Sequence, residues 1–183
     1  AKEELTKLSQ GSEPFNFTVL TVDTHNPDGY VCRLCGDEFE NQYSNVLRCG
    51  SRQAVEFVSW IKEQPWYENT TVVIAGDHAT MVKNYAPDDD SYERGVYYCF
   101  LNPAAVPADR THSACTMDLF PTTLAAMGVE IKGDRLGLGT NLFSDRDTIL
   151  DEFVKEEVIS QLNMKSDFYD NELLYGEPAE ETD

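Results

Sequence analysis

Two short β-branched runs constrain this chain more than any other feature. Phe17–Val22 and Thr71–Ala75 are apolar, and each gives way at once to a polar turn bearing a histidine. Runs of this kind read as buried strands. A third run, residues 95–101, reads as another strand, stopped by Asn102-Pro103. Between the first two runs, Ser51 is placed to cap a helix whose apolar face carries Val55, Val58, Trp60 and Ile61, with Pro65 ending it after about Gln64. Residues 1–10 suggest a short helix broken at Gly11–Pro14. Residues 30–50 read as irregular, and 79–95 as a polar loop with aspartates at 88–90. Apolar positions 117, 119, 120, 124 and 127 predict a helix with Pro121 in an early turn and Gly128 closing it. Residues 135–143 form a glycine-rich return. Thr148 or Asp147 caps a last helix over 149–162.

Strands separated by helices define an α/β fold, here with a mostly parallel sheet flanked by helices. The chain has 183 residues, enough for one domain with a core, and no internal repeat is visible. A hydrophobic content of 41% excludes a wholly disordered chain. The formal net charge of −19 argues against a nucleic-acid partner, because phosphate contacts need Lys and Arg. Residues 151–183 carry −9 of that charge, and the final GEPAEETD reads as a solvated tail. No apolar run reaches the ~18 residues of a membrane helix, and the polar start AKEELTKLSQ is unlike a signal peptide.

The five cysteines are Cys32, Cys35, Cys49, Cys99 and Cys115. The C-x-x-C spacing of Cys32 and Cys35 fits half a zinc site or a redox pair. Zinc asks for a second pair, and only Cys49 follows nearby. A redox motif belongs where a strand turns into a helix, whereas this one lies in a polar loop. The preferred reading is one disulfide closing the loop, Cys32–Cys49 or Cys35–Cys49, and hence an extracytoplasmic compartment.

In open α/β sheets, sites form beyond the carboxyl ends of the strands. Asp23-Thr24-His25 follows the first run and Gly76-Asp77-His78 the second. If the strands are parallel, both turns open on one edge and share a crevice. Carboxylate oxygen with imidazole nitrogen suits Zn²⁺ or Mn²⁺. Gly76 permits the sharp turn that lets Asp77 and His78 meet one ion. Two ligands do not complete a site, so Asp23, His25, His112 or residues upstream must add to it. No serine, threonine or cysteine sits in a recognisable nucleophile elbow. Thr24 and Thr80 flank the histidines without any mark of activation.

Four segments in order carry a resemblance: Thr21-Val-Asp-Thr-His-Asn-Pro-Asp-Gly-Tyr30, Val73-Ile-Ala-Gly-Asp-His78, Met117–Gly128 and Arg135-Leu-Gly-Leu-Gly-Thr-Asn-Leu-Phe-Ser144. Together they resemble the carboxy-terminal part of the sulfatase-like branch of the alkaline phosphatase superfamily, an α/β/α sandwich. More narrowly they resemble the membrane-anchored phosphoglycerol transferases of osmoregulated periplasmic glucans and their lipoteichoic acid synthase relatives.

The resemblance implies roles residue by residue. Asp77 and His78 match paired metal ligands, for Mn²⁺ first and Zn²⁺ or Mg²⁺ as alternatives. His25 matches a histidine that holds the substrate phosphate. His112 is a neighbour for metal or phosphate. The nucleophilic threonine and an acidic ligand are expected upstream, so residues 1–145 read as the later part of a catalytic domain and 146–183 as a terminal helix and acidic tail. The implied reaction moves phosphoglycerol from an anionic lipid headgroup, phosphatidylglycerol, to a glucan or polymer hydroxyl through a covalent enzyme intermediate. The fragment alone is expected to be inactive. Upstream helices are expected to anchor the enzyme at the periplasmic face of the inner membrane. The competing readings are a sulfatase or a phosphonate or phosphodiester hydrolase of the same superfamily, and a non-enzymatic acidic binding module.

Overall fold

The computed structural model describes residues 1–82, 85 and 94–176. The aspartates at 88–90 and the acidic tail from residue 177 lie outside the described residues. The chain divides into two compact units, Ala1–Ala104 and Ala105–Asp183.

The first unit is organised by one long helix. After a short helix α1 (Lys2–Leu8), helix α2 runs over Gln42–Lys62. Its N-cap is Asn41, whose side chain accepts from the Ser44 N–H. The helix thus starts ten residues ahead of the Ser51 cap expected from sequence, and takes in the end of the stretch read as irregular. Tyr43, Val46, Cys49 and Ile61 are buried, and Gln53, Phe57 and Trp60 continue the same face at half-burial. That is helical i, i+3, i+4 spacing. Val55, expected on the apolar face, is exposed. Trp60 packs on Phe57 and Trp66 at the far end.

Strands β1 (Val72–Ala75) and β2 (Tyr98–Leu101) pair antiparallel, Val72 opposite Leu101 and Ala75 opposite Tyr98. Gly76 prolongs the ladder, its N–H donating to the Tyr97 carbonyl at 3.0 Å. Asn102 turns the chain at a positive φ of 54°, and its side-chain amide donates to the carbonyls of Tyr67 and Thr70. Two of the expected strands therefore form, but not as a parallel sheet. The run Phe17–Val22 forms no strand, and Leu20 is 77% exposed. The composition of the run reports fitness for burial in a ladder. It does not supply the partner, and no described segment pairs with it.

The second unit is built on a buried carboxylate. Helix α3 (Leu119–Ala126) buries Pro121, Thr122, Ala125 and Ala126. Gly128 ends it at a φ of +87°. Strands β3 (Arg135–Leu136) and β4 (Gly139–Thr140) form a tight antiparallel hairpin. Asp118 is fully buried just ahead of α3. Its carboxylate accepts from the Thr140 N–H at 2.7 Å and the Cys115 N–H at 2.8 Å. Its carbonyl accepts from the Thr122 hydroxyl at 2.6 Å, and that hydroxyl accepts in turn from the Leu142 N–H. A Cβ on Gly139 would fall 2.0 Å from the Met117 carbonyl oxygen, so the hairpin lies against the chain as only glycine allows. Thr148 caps helix α4 (Ile149–Glu152) in a capping box with Asp151, as the sequence suggested. The expected last helix is split, with α5 (Lys155–Leu162) starting after a break at Phe153 and Val154.

All five cysteines are free. The disulfide expected in the 30–50 loop is absent: the Cys32 and Cys49 sulfurs are 3.7 Å apart, against about 2.05 Å in a disulfide. Among the described residues no helix is long and apolar enough to cross a membrane.

Removing the Asp118 carboxylate leaves two buried N–H groups without acceptors. Asp118→Ala is expected to lower unfolding free energy by about 2–4 kcal/mol. Urea denaturation checks this, and an unchanged midpoint would contradict it.

Candidate active-site loops

His25 sits in a turn that closes on itself. The His25 N–H donates to the Val22 carbonyl, the Gly29 N–H to the His25 carbonyl, and the Tyr30 N–H to the Asp23 carbonyl at 2.6 Å. The Asn26-Pro27 peptide is cis. Gly29 has a φ of +69°, and a Cβ there would fall 2.8 Å from Val46 Cγ1. Glycine therefore serves twice, for the left-handed turn and for the close approach to α2. The Gln42 amide donates to the Asp28 carbonyl and fixes the other side of the loop to the start of α2.

Asp77 and His78 follow β1 after the single residue Gly76. Gly76 does not take a positive φ, so it is not the swivel expected from sequence. It is needed for space, because a Cβ would meet Val96 Cγ1 at 2.9 Å. The His78 N–H donates to Asp77 Oδ1 at 2.9 Å, which turns the carboxylate toward the imidazole. Asp77 Oδ2 then lies 3.4 Å from His78 Nε2.

The two histidines share one local arrangement. His25 Nδ1 lies 2.8 Å from the Asn26 carbonyl, and His78 Nδ1 lies 2.9 Å from the Ala79 carbonyl. A carbonyl only accepts, so each Nδ1 carries the proton. In the neutral ring the Nε2 lone pair is left free, the state in which imidazole binds a cation or accepts from a substrate. At His78 that lone pair faces a carboxylate oxygen. Two acceptors at 3.4 Å suit one cation between them, since ligands at about 2.1 Å in a tetrahedral shell are ~3.4 Å apart. The donor set fits part of a divalent ion's shell. Among the described residues no third carboxylate or imidazole completes it.

Tyr43 links the two loops. Its hydroxyl lies 3.1 Å from the Thr24 carbonyl and 2.9 Å from Thr80 Oγ1. The phenol has one proton and the carbonyl can only accept, so Tyr43 donates to Thr24 and accepts from Thr80. Thr80 Oγ1 also accepts from the Val82 N–H, and the Arg94 guanidinium donates to the Thr80 carbonyl. The ring of Tyr43 packs edge-on against Tyr85. Thr24, next to His25, and Thr80, two residues after His78, are thus held on either side of one hydroxyl oxygen. Sequence reasoning missed Tyr43, because the stretch before Ser51 read as irregular. Asn41 as a cap, with Tyr43, Val46 and Cys49 at helical spacing, was the available signal.

His112 belongs to the second unit and is differently placed. Its side chain is 3% exposed, with Nδ1 2.8 Å from Asp151 Oδ2 and Nε2 2.9 Å from the Ser144 carbonyl. Both ring nitrogens are thus engaged by groups of its own unit. Burial opposes charge on Asp151, but hydrogen bonds from His112, Ser113 and Thr148 outweigh it and hold the carboxyl well below the usual range.

The chain is similar to several curated proteins. Phosphoglycerol transferase I of Salmonella choleraesuis is 31% identical over 164 residues, covering 84% of this chain and 21% of that protein. The proteins of the same name from Citrobacter koseri and Escherichia fergusonii are 36% and 34% identical over 87 residues, covering 44% of this chain and 11% of each. The chain thus spans at most about a fifth of the length of these relatives. No family model matches the chain. No solved structure matches it.

Tyr43→Phe keeps the ring and removes the bridge. It is expected to cost about 1–2 kcal/mol and to speed amide exchange at Val82, whose acceptor Thr80 loses its anchor. Exchange rates equal to wild type would remove the bridging role. A second expectation follows from Asp151. Its carboxyl ionises at lower pH in the folded chain than when unfolded, so its stabilisation is present above about pH 4 and is lost as the pH falls further. Asp151→Asn is expected to flatten that acid slope in unfolding titrations, and an unaltered slope would refute the assignment.

Proposed function

We propose, from the relationship of this chain to the phosphoglycerol transferases, that its first unit carries the metal-holding and phosphate-holding loops of such an enzyme. The observation that carries the reading is the Tyr43 hydroxyl, which joins the loop of His25 to the loop of Asp77 and His78. The relatives' shared name supplies the reaction class, transfer of a phosphoglycerol group.

Asp77 and His78 would hold a divalent ion, Mn²⁺ in the first instance, with Oδ2 and Nε2 as donors. When bound, the ion supplies positive charge that stabilises phosphoryl oxygens and lowers the pKa of a hydroxyl nucleophile. His25 presents Nε2 to solvent from a loop pinned on α2. With that nitrogen protonated, it donates a hydrogen bond to a phosphate oxygen and adds positive charge beside it. Nδ1 is already committed to the Asn26 carbonyl, so the ring has one orientation for this work. Tyr43 and Arg94 act through Thr24 and Thr80, as positioning residues.

The threonine nucleophile and the remaining ligands lie outside these residues on this reading, and the lipid donor and glycan acceptor would meet the assembled enzyme at the periplasmic face of a membrane. The test uses a polypeptide of the relatives' full length that carries these residues. Asp77→Ala and His78→Ala are each expected to cut Mn²⁺-dependent phosphoglycerol transfer at least ~100-fold. His25→Ala is expected to cut it similarly while leaving Mn²⁺ affinity unchanged. Wild-type turnover in the Asp77 and His78 variants would sink the proposal.

A further inference from the structure

The cysteine cluster of the first unit stands apart from the loops just described. Cys32, Cys35 and Cys49 bring three sulfurs within 4.8 Å of one another, the one group of three or more potential ligands found among the described residues. Cys32 Sγ lies 3.7 Å from Cys49 Sγ and 3.7 Å from Cys35 Sγ. Thiolates bound to a tetrahedral zinc at about 2.3 Å are ~3.8 Å apart, so the spacing is that of a tetrahedral edge.

Hydrogen-bond donors surround the sulfurs. The Leu34 N–H donates to Cys32 Sγ at 3.4 Å, and the Cys32 N–H donates to Cys35 Sγ at 3.3 Å. The Cys32-Arg-Leu-Cys-Gly36 turn thus folds its own amides onto its sulfurs. From α2, the Gln53 amide donates to Cys49 Sγ at 3.4 Å and to Cys32 Sγ at 3.7 Å. The Arg52 guanidinium donates to Cys49 Sγ at 3.7 Å and to the Leu34 carbonyl at 2.5 Å. Four donors from two elements converge on three sulfurs, and such outer contacts orient metal-bound ligands. Cys49 is buried on α2, which makes one ligand rigid. Soft sulfur donors select zinc over the hard ions that oxygen ligands prefer.

We propose that Cys32, Cys35 and Cys49 form a three-thiolate site for Zn²⁺, with solvent in the fourth position. Binding releases three protons as three thiols become ligands. The resulting centre has a net charge of −1, which Arg52 faces with its own positive charge. The site would pin the 30–41 loop to α2, and with it the following side of the His25 loop. It is independent of the ion assigned to Asp77 and His78, which offer oxygen and nitrogen.

The test uses the full chain, reduced and freed of metal. Titration with Zn²⁺ against a chromophoric chelator is expected to give one tight site, and Co²⁺ is expected to give an intense sulfur-to-metal charge-transfer band. Cys32→Ser/Cys35→Ser, both half-buried positions, is expected to keep the wild-type circular dichroism, abolish the band and weaken zinc at least ~100-fold. Asp77→Ala/His78→Ala and Cys99→Ser/Cys115→Ser are expected to leave the band in place. Bound zinc is expected to protect Cys32, Cys35 and Cys49 from alkylation, read by peptide mass spectrometry. Three outcomes would each overturn the site: no zinc retained by the reduced wild type, a charge-transfer band surviving in Cys32→Ser/Cys35→Ser, or a band lost with Cys99→Ser/Cys115→Ser alone.

Discussion

One face of α2 is the constraint on which the first unit depends. Tyr43, Val46 and Cys49 succeed one another at three-residue steps, and each meets a different loop. Tyr43 takes the Thr24 carbonyl and the Thr80 hydroxyl. Val46 receives Gly29 at a distance only glycine tolerates. Cys49 receives the Cys32–Cys35 turn. A helix rises about 1.5 Å per residue, so these three anchor points fall along less than two turns of one rigid element. Contacts with the helix fix where each of these loops sits on it.

The second unit depends on a comparable device of opposite character. A single carboxylate, Asp118, ties the start of α3 to the β3–β4 hairpin through charge-assisted hydrogen bonds to backbone amides. The segments Met117–Gly128 and Arg135–Ser144, which carry half of the resemblance seen in sequence, meet at this point. Their residue types follow from packing: Thr122 and Thr140 are buried and hydrogen-bonded, and Gly139 leaves room for a carbonyl. In these two segments the residue types belong to structure that holds the unit together. The segments of His25 and of Asp77 and His78 lie in exposed loops instead.

Two sets of donor groups occur in the first unit. Asp77 and His78 offer oxygen and nitrogen in an exposed turn, and His25 a single nitrogen. The cysteines offer three sulfurs packed against the helix. On the proposals above, the harder oxygen and nitrogen donors and the soft sulfur donors would favour different ions.

Much of the local structure was legible in the residues. Val72–Ala75 and Tyr98–Leu101 are strands, Thr148 is a cap, Gly128 is a helix end, and Gly-Asp-His follows a strand directly. These features rest on β-branching, short-range hydrogen bonding and backbone sterics, which act within a few residues. The order of the four segments was enough to reveal the relationship. Pairing and contact were settled by tertiary structure alone. Strand direction depends on which backbone lies alongside, and β1 met β2 antiparallel. Phe17–Val22 has a strand's composition but no ladder among the described residues. The cysteine spacing fitted a disulfide or a metal, and only folded distances told 3.7 Å from a covalent bond. Tyr43 carried no motif at all. Its role exists because a helix brings one hydroxyl between two loops that are 56 residues apart in the chain, from Thr24 to Thr80, and no local pattern encodes that meeting.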